Sequence, residues 1–540
     1  MNSKILFSTM LHAALCVATA AHADVKLHRI FTDHMVLQRD MGVKVWGWAD
    51  PGEKVIVRFG GQSLSATTGE NGRWSVKLAP MNANATPQNL AVAGKNKIEL
   101  TDILVGDIWL CSGQSNMAFG LGGCDAPEDI KSADFPLIRF RGYWGSWSGP
   151  LMEDLQEKPW YRVATEEDLA RLKSWKRIVP DGKEIGECPA VGFYFARKVH
   201  KETGIPIGIL EAAIGGSSIE AWMPPNAFAD YPAVACLAKQ RQEAIDNWHK
   251  KTIADMENWV VEAKKNLADG KDISNPPKVA PHPNENFNGR CEVSCLYNGM
   301  INPLTPFAIK GVLWYQGENN GSEQKTYLEK LSAMVGSWRK LWGYEFPFYY
   351  VQLTVLDKPN DDPSGGNLGW QASRMGMLQA LKVIPNSGMA VTIDVGDAKD
   401  IHSKNKFDVG ERLALWALAK DYGKKIVYSG PLYKGIQTGN GKIRISFDGV
   451  GGGLVIAKKD GLKPTVEDQG GKLRRFAIAG EDKKWMWAEA VIDGETVVVS
   501  SPEVPNPVAV RYAYSMNPEG ANLYNKEGLP ASPFRTDDWE

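Results

Sequence analysis

An excess of charge of either sign is missing from this 540-residue chain: 62 Lys and Arg stand against 63 Asp and Glu, with no long run of one sign. A surface that holds a polyanion needs such an excess, so nucleic acid is not an expected partner. Long apolar runs are missing too. Beyond residue 23 none approaches the ~20 residues that a membrane-spanning helix requires, so no membrane insertion is expected. Cysteine is sparse, with seven in all and no Cys-x-x-Cys. Cys291 and Cys295 stand four apart without a second pair of similar spacing, which argues against a structural zinc site. No repeat of fixed period and no low-complexity tract breaks the sequence.

What is present begins with an export signal. Lys4 supplies a positive start, Ile5 to Ala20 an apolar stretch, and Ala21-His22-Ala23 a small-x-small cleavage site before Asp24. A periplasmic or secreted protein is therefore expected. Six cysteines follow the signal: Cys111, Cys124, Cys188, Cys236, Cys291 and Cys295, an even number in a compartment where disulfides persist, with a pairing that spacing does not fix. At this length several domains are expected, because one core rarely organises so long a chain.

Short alternating runs open the mature chain: Val43 and Val45, then Val55, Val57 and Phe59, then Trp74, Val76 and Leu78, punctuated by Asp50-Pro51-Gly52 and Glu70-Asn71-Gly72. Period-two runs between turn residues predict antiparallel strands, and residues 24–102 form a β-sandwich-like domain on this reading. Apolar strands and helical periods then alternate. Ile103 to Leu110, Ile207 to Ala213, Ile309 to Tyr315, Phe346 to Leu353 and Met389 to Asp394 are the strands, and Leu328 to Trp342 and Val409 to Lys420 carry helical faces. That alternation predicts an α/β domain over 103–427, its parallel sheet covered by helices on both faces, with a charged helical insertion at about 235–285. Alternation returns after Tyr428, which predicts a C-terminal β domain over 428–540.

Ligands of open parallel sheets bind at the carboxyl ends of the strands. Leu110 leads there into Ser112-Gly113-Gln114-Ser115-Asn116-Met117, Ala213 into Gly215-Gly216-Ser217-Ser218, Tyr315 into Gln316-Gly317-Glu318-Asn319-Asn320, and Asp394 into Gly396-Asp397 and Asp400-Ile401-His402. One edge thus collects a hydroxyl, tight glycine turns, amides, carboxylates and an imidazole. Acyl transfer needs these parts: an imidazole to take the proton of a weak hydroxyl nucleophile, and fixed N–H donors for the tetrahedral oxyanion. Ser115 is the candidate nucleophile and His402 its base. Ser115, Gly216, Gln316 and Asn319 are candidate oxyanion donors, and Asp400, or alternatively Glu318, the acid that orients the imidazole. Each piece alone has a plainer reading, the serine as a helix cap and the glycines as turns; their joint placement favours catalysis.

The strings GQSNM (113–117), WYQGEN (314–319) and DIHSKNK (400–406) resemble those of the sialate O-acetylesterase family of SGNH hydrolases. The likeness extends over HMVLQRD (34–40), VWGWADPGEKV (45–55), VRYAY (510–514) and GLPASPFRTD (528–537). It implies a flavodoxin-like hydrolase domain flanked by β domains, and hydrolysis of acetyl esters on sugars by a serine nucleophile, with no cofactor or metal. Two departures stand out. Lys399 occupies the position where many SGNH enzymes place the acid, three residues before the histidine, and Ser403 replaces a common proline. Among 19 tryptophans, Trp222 and Trp370 stand near strand ends as candidate sugar contacts, and Arg374 is a candidate partner for a sialic carboxylate. The expected partner is an acetylated carbohydrate. An acetylated plant polysaccharide such as xylan or xyloglucan is the rival substrate, and a non-catalytic glycan-binding protein or a metal enzyme using Asp394, Asp397, Asp400 and His402 are the rival classes. The oligomeric state has no signature in the sequence.

Overall fold

The alternating N-terminal runs fold as strands because one face of each is buried: Val43 and Val45, Val55 and Val57, and Trp74 and Leu78 are at most 3 % exposed. The computed structural model describes residues 24–142, 148, 151–155, 175–178, 186–230, 232–280 and 292–539. The expected export signal (1–23) and Cys291 lie outside the described residues. Strands Val43–Trp48, Lys54–Phe59, Gln62–Thr67, Arg73–Leu78 and Asn84–Ala93 pair antiparallel in two groups. The two expected turns carry Gly52 and Gly72 at φ of 79° and 71°, the left-handed region that glycine adopts without strain.

One strand, Lys97–Gly113, joins this β part to the central sheet. Its first residues pair antiparallel with Asn84–Ala93, and its last pair parallel with Ile207–Ala213 on one side and Gly311–Tyr315 on the other. Side-chain burial changes along it from alternating to continuous, as it must when a strand passes from a sheet with one wet face to one covered on both. Asp102 marks the change. It sits at φ 56°, and its carboxylate accepts from Arg139 at 2.8 and 3.1 Å and faces His34 Nδ1 at 2.6 Å.

The central sheet runs, edge to edge, Lys176–Ile178, Phe135–Gly142, Ile207–Ala213, Lys97–Gly113, Gly311–Tyr315, Phe348–Val351 and Ser387–Ala390. All neighbours are parallel except the first two. Trp109 faces Gly311 and Trp314 faces Ser112 across one ladder, so the two indoles emerge on opposite faces of the sheet. Trp109 packs on Phe195 of helix Ala190–Thr203, and Trp314 on Trp338 of helix Lys325–Trp342, which places helices on both faces. Gly204 and Gly343, at φ 71° and 79°, end those helices. The expected insertion is one 37-residue helix, Pro232–Ala268, followed by a segment without regular structure to residue 280. Among the described residues no helix is long and apolar enough to cross a membrane.

After Leu432 the chain is again all β, in a four-stranded sheet built on Lys442–Asp448 and Thr496–Ser500, a second built on Phe476–Ala479 and Ala509–Tyr512, and a third around Leu454–Lys458. Buried polar contacts fasten this part to the central sheet: Gln352 donates to Ser532 Oγ at 2.9 Å, and Tyr524 to Asp394 Oδ2 at 3.3 Å. Cys111, Cys124, Cys188 and Cys236 are free thiols, and no disulfide joins two of the described residues. Burial pushes the Cys111 and Cys188 thiols well up, away from the thiolate that exchange chemistry requires.

Candidate active site

Three strands of the central sheet end at the same level, because Gly113 is in register with both Ala213 and Tyr315. The turns that follow them must therefore share one edge. Gly113 has φ 134°, and a Cβ there would lie 2.1 Å from the Tyr315 carbonyl oxygen, so only glycine lets the chain bend at this point. Gln114 N then donates to Tyr315 O at 2.9 Å, and Ile214 N to Gly113 O at 3.0 Å. Ser115 opens the short helix Ser115–Ala118, half-exposed. Neither its amide nor its hydroxyl makes a hydrogen bond among the described residues, so both are available to a ligand.

His402 reaches the same edge on the loop beyond Ser387–Ala390. Both carboxylate oxygens of Asp394 are held by Arg412, at 2.6 and 2.8 Å, and Ser403 Oγ donates to the Val395 carbonyl, which fixes the base of that loop. The occupied Asp394 leaves no free pair of oxygens for the metal reading, and among the described residues no cluster suited to a metal ion forms. The imidazole is 37 % exposed and stacks on Phe119 at 6.2 Å between centroids. Asp400 Oδ1 accepts from the His402 amide at 2.8 Å and lies 3.8 Å from His402 Nδ1. That separation is an electrostatic contact and too long for a hydrogen bond.

The residue after the candidate nucleophile ties the two loops together. Asn116, fully buried, donates from Nδ2 to Glu318 Oε1 at 2.6 Å and to the Ile401 carbonyl at 3.0 Å, and its Oδ1 accepts from Lys406 Nζ at 2.6 Å. Lys406 also donates to Ser403 O at 2.5 Å and lies over the Phe119 ring at 4.8 Å. Burial dominates both ionisable ends. It raises the Glu318 carboxyl above its usual range and lowers Lys406 to about 8, although Glu318, Cys124 and Asp400 partly support the lysine charge. Gln114 adds a further link, accepting from Gly317 N at 3.4 Å. Asn116, Lys406 and Gln114 carry roles that strand-end reasoning did not assign, although all three stand inside the strings GQSNM and DIHSKNK.

Several expected site residues are elsewhere engaged. Glu318, the alternative acid, spends Oε1 on Asn116, while its Oε2 is shut from solvent without a partner. Gln316 is fully buried and spends both amide hydrogens on Ser217 O (3.1 Å) and Asn320 Oδ1 (2.8 Å), so it supports the edge from beneath and cannot serve as an oxyanion donor. Gly216 takes φ 67° in the neighbouring turn, and Asn319 is exposed on the single turn Glu318–Asn320.

The expected sugar contacts are all buried. Trp222 is wholly buried, donates to Ser217 Oγ at 2.9 Å and packs edge-on against Trp314, leaving no face for a sugar. Trp370 is 5 % exposed and donates to the Glu318 carbonyl at 3.3 Å. Arg374 is 0 % exposed and spends its guanidinium on the carbonyls of Leu353, Thr354, Ser515 and Met516. It is a joint between the central sheet and the C-terminal part, with four of its five N–H donors on carbonyls and no surface exposed to a substrate carboxylate.

A sequence model of the family described as carbohydrate esterase, sialic acid-specific acetylesterase, matches residues 105–253 and 287–419. Sialate O-acetylesterase of Mus musculus is 27% identical across 98% of this chain and 97% of its own length. The protein of that name from Homo sapiens is 27% identical across 93% of this chain and 90% of its own. A solved carbohydrate acetylesterase from Xanthomonas citri is 33% identical and superposes with a TM-score of 0.77, covering 96% of this chain and 100% of that one.

Proposed function

Because the chain belongs to the sialic acid-specific acetylesterase family of carbohydrate esterases, we propose that it removes O-acetyl groups from a carbohydrate through an acetyl-enzyme formed on Ser115. One observation carries the reading: a serine with a free amide and hydroxyl stands at a shared strand edge, and its neighbour Asn116 is bonded to the loop that presents His402.

On this proposal His402 takes the Ser115 proton as the hydroxyl attacks the acetyl carbonyl. The oxyanion is held by the Ser115 amide, with Gly216 and Asn319 as the further donors. Collapse of the tetrahedral adduct breaks the bond to the sugar oxygen, which takes the proton from His402 and leaves as a hydroxyl. Water, deprotonated by the same imidazole, then releases acetate. Asp400 faces the imidazole and stabilises its charged form across 3.8 Å, whereas Glu318 is committed to Asn116. The strand order supports a flavodoxin-like core. Counted from Lys97–Gly113 as first strand, Ile207–Ala213, Gly311–Tyr315, Phe348–Val351 and Ser387–Ala390 give the order 2-1-3-4-5, with Phe135–Gly142 and Lys176–Ile178 appended at the edge. The domain reading, an export signal at 1–23, β parts at 24–102 and 428–540 and a hydrolase domain at 103–427, and delivery to the periplasm or outside, belong to the same proposal.

Sialate is the first substrate reading, since curated relatives across nearly the whole chain carry that name. The internal Arg374 favours a second, a neutral plant glycan, because the cation expected to meet a sialic carboxylate is occupied. Acetate release from a panel of O-acetylated sialosides and acetylated xylan or xyloglucan decides between them. Absence of Ser115-dependent release from every member would overturn the esterase reading.

A further inference from the structure

A cleft of about 360 Å³ opens between the loop that leads to His402 and the C-terminal β part. Its floor includes Asp394, Gly396 and Ala398, and four residues beyond Ala398 the chain reaches His402, a span of at most ~14 Å. Lys472 and Arg474 line the opposite wall. Both are exposed on either side of the buried Leu473, so the two charged side chains lie on the solvent side of this segment. A single amide fixes the pair: Asn522, 7 % exposed, donates to Lys472 O at 2.9 Å and accepts from Arg474 N at 2.9 Å.

Most charges around this cleft are already neutralised. Asp394 is paired with Arg412, Asp468 with Lys458 at 2.8 Å and Lys459 with Asp408 at 2.8 Å. Lys472 and Arg474 have no ion pair or side-chain hydrogen bond among the described residues, and the only unpaired carboxylate among the cleft's described residues is that of the exposed Glu519. A second feature is independent of charge. Asn517, 2 % exposed and also lining the cleft, has its Oδ1 buried without a hydrogen-bond donor while its Nδ2 donates to Asp357 O at 2.7 Å. A buried acceptor in that state is costly unless something fills it.

We propose that this cleft holds a carboxylate-bearing sugar residue of the substrate, with Arg474 and Lys472 on the carboxylate and Asn517 Oδ1 accepting from a sugar hydroxyl. The inference rests on the carbohydrate-esterase reading and supplies the cation that Arg374 cannot. An arginine fork matches a carboxylate in two parallel hydrogen bonds, and a neighbouring ammonium adds a point charge. A sialic acid and a uronic acid of a plant glycan share this chemistry.

Calorimetric titration of the full chain with N-acetylneuraminic acid, glucuronic acid and glucose tests it without turnover. One acidic sugar should bind at least tenfold more tightly than glucose, and which one does so identifies the source. Arg474→Gln with Lys472→Gln should weaken that binding at least tenfold and lower by a similar factor the ratio of kcat/KM for acidic over neutral acetylated sugars, while Arg474→Lys, which keeps the charge and loses the fork, should weaken it by less than the double variant. Equal or absent binding of acidic and neutral sugars, or a double variant that binds the acidic sugar as the parent does, overturns the proposal. Thermal melts of each variant confirm folding. The esterase reading fails separately, by loss of Ser115-dependent acetate release, and the titration remains interpretable in that event.

Discussion

The Asn116 carboxamide donates to Glu318 Oε1 at 2.6 Å, and its second hydrogen goes to the Ile401 carbonyl, one residue before His402. One side chain thus sets the distance between the proposed nucleophile and its base. Replacing Asn116 by Ala removes both donations and the acceptor of Lys406 Nζ, so kcat is expected to fall about 10- to 100-fold with a smaller change in KM, since misplacement by about 1 Å costs that much. Steady-state kinetics on an O-acetylated sugar checks it. A loss below threefold would remove Asn116 from the positioning of the site.

Asp400 and Glu318 are separated by their partners. Asp400 faces the imidazole, and Glu318 faces an amide in a buried setting that favours its protonated form. Asp400→Asn is expected to lower kcat at least tenfold, and by more than Glu318→Gln at equal folded yield; acids that orient a catalytic histidine can contribute up to ~10⁴-fold. The reverse ranking would make Glu318 the acid. Effects below tenfold in both would mean that Ser115 and His402 act as a dyad.

Ser115→Ala should remove esterase turnover by about 10⁶-fold, the scale seen for other serine nucleophiles, while circular dichroism stays unchanged. In the parent protein, acid quenching during turnover followed by peptide mass spectrometry should find the acetyl group on the peptide containing Ser115. Retention of a few per cent of activity in the variant would assign the nucleophile elsewhere.

What the sequence made legible follows from periodicity. Ile207–Ala213 is a strand at its expected bounds, and helices Lys325–Trp342 and Lys406–Lys420 lie on the expected faces, because continuous apolar runs and steps of three and four leave few alternatives. The shared strand edge was legible for the same reason. Side-chain direction was not. Trp222 and Arg374 stand near strand ends in sequence, yet local helical geometry turns the indole under Ser217 and the guanidinium towards four carbonyls. Gln316 was misplaced by the same limit, since an amide beside a strand end can face the ligand or the layer below. Asn116 and Lys406 were visible only as letters in motif strings, because their partners lie more than 200 residues away in the chain.

Glu211 gives a prediction about stability and pH. It is 7 % exposed in the middle of the sheet, in register with Cys111 and Gly142, and burial, reinforced by the charge of Glu187, raises its carboxyl to about 8. Between about pH 4.5 and 8 the native state therefore holds a proton that the unfolded chain has released, and stability falls as pH rises through that window. Glu211→Gln should flatten this slope, with no gain near pH 4 and a gain of at most ~5 kcal/mol above pH 8. Urea melts from pH 4.5 to 8.5 test it, and parallel slopes for parent and variant would refute it.

The 17-residue strand Lys97–Gly113 also decides where the protein can be cut. Severing the chain at residue 103 would leave Val36–Gln38, Asn84 and Gln88 on one fragment and their ladder partners, Ile103 to Gly106, on the other, and would begin that other fragment ten residues before the bend at Gly113 that presents Ser115. Neither half inherits a finished edge, and an unpaired strand edge invites association with other chains. In evolutionary terms the N-terminal β part is not a cassette that can be shuffled on and off this hydrolase. It has to be inherited together with the turn that presents Ser115, as one piece of hydrogen-bonded backbone.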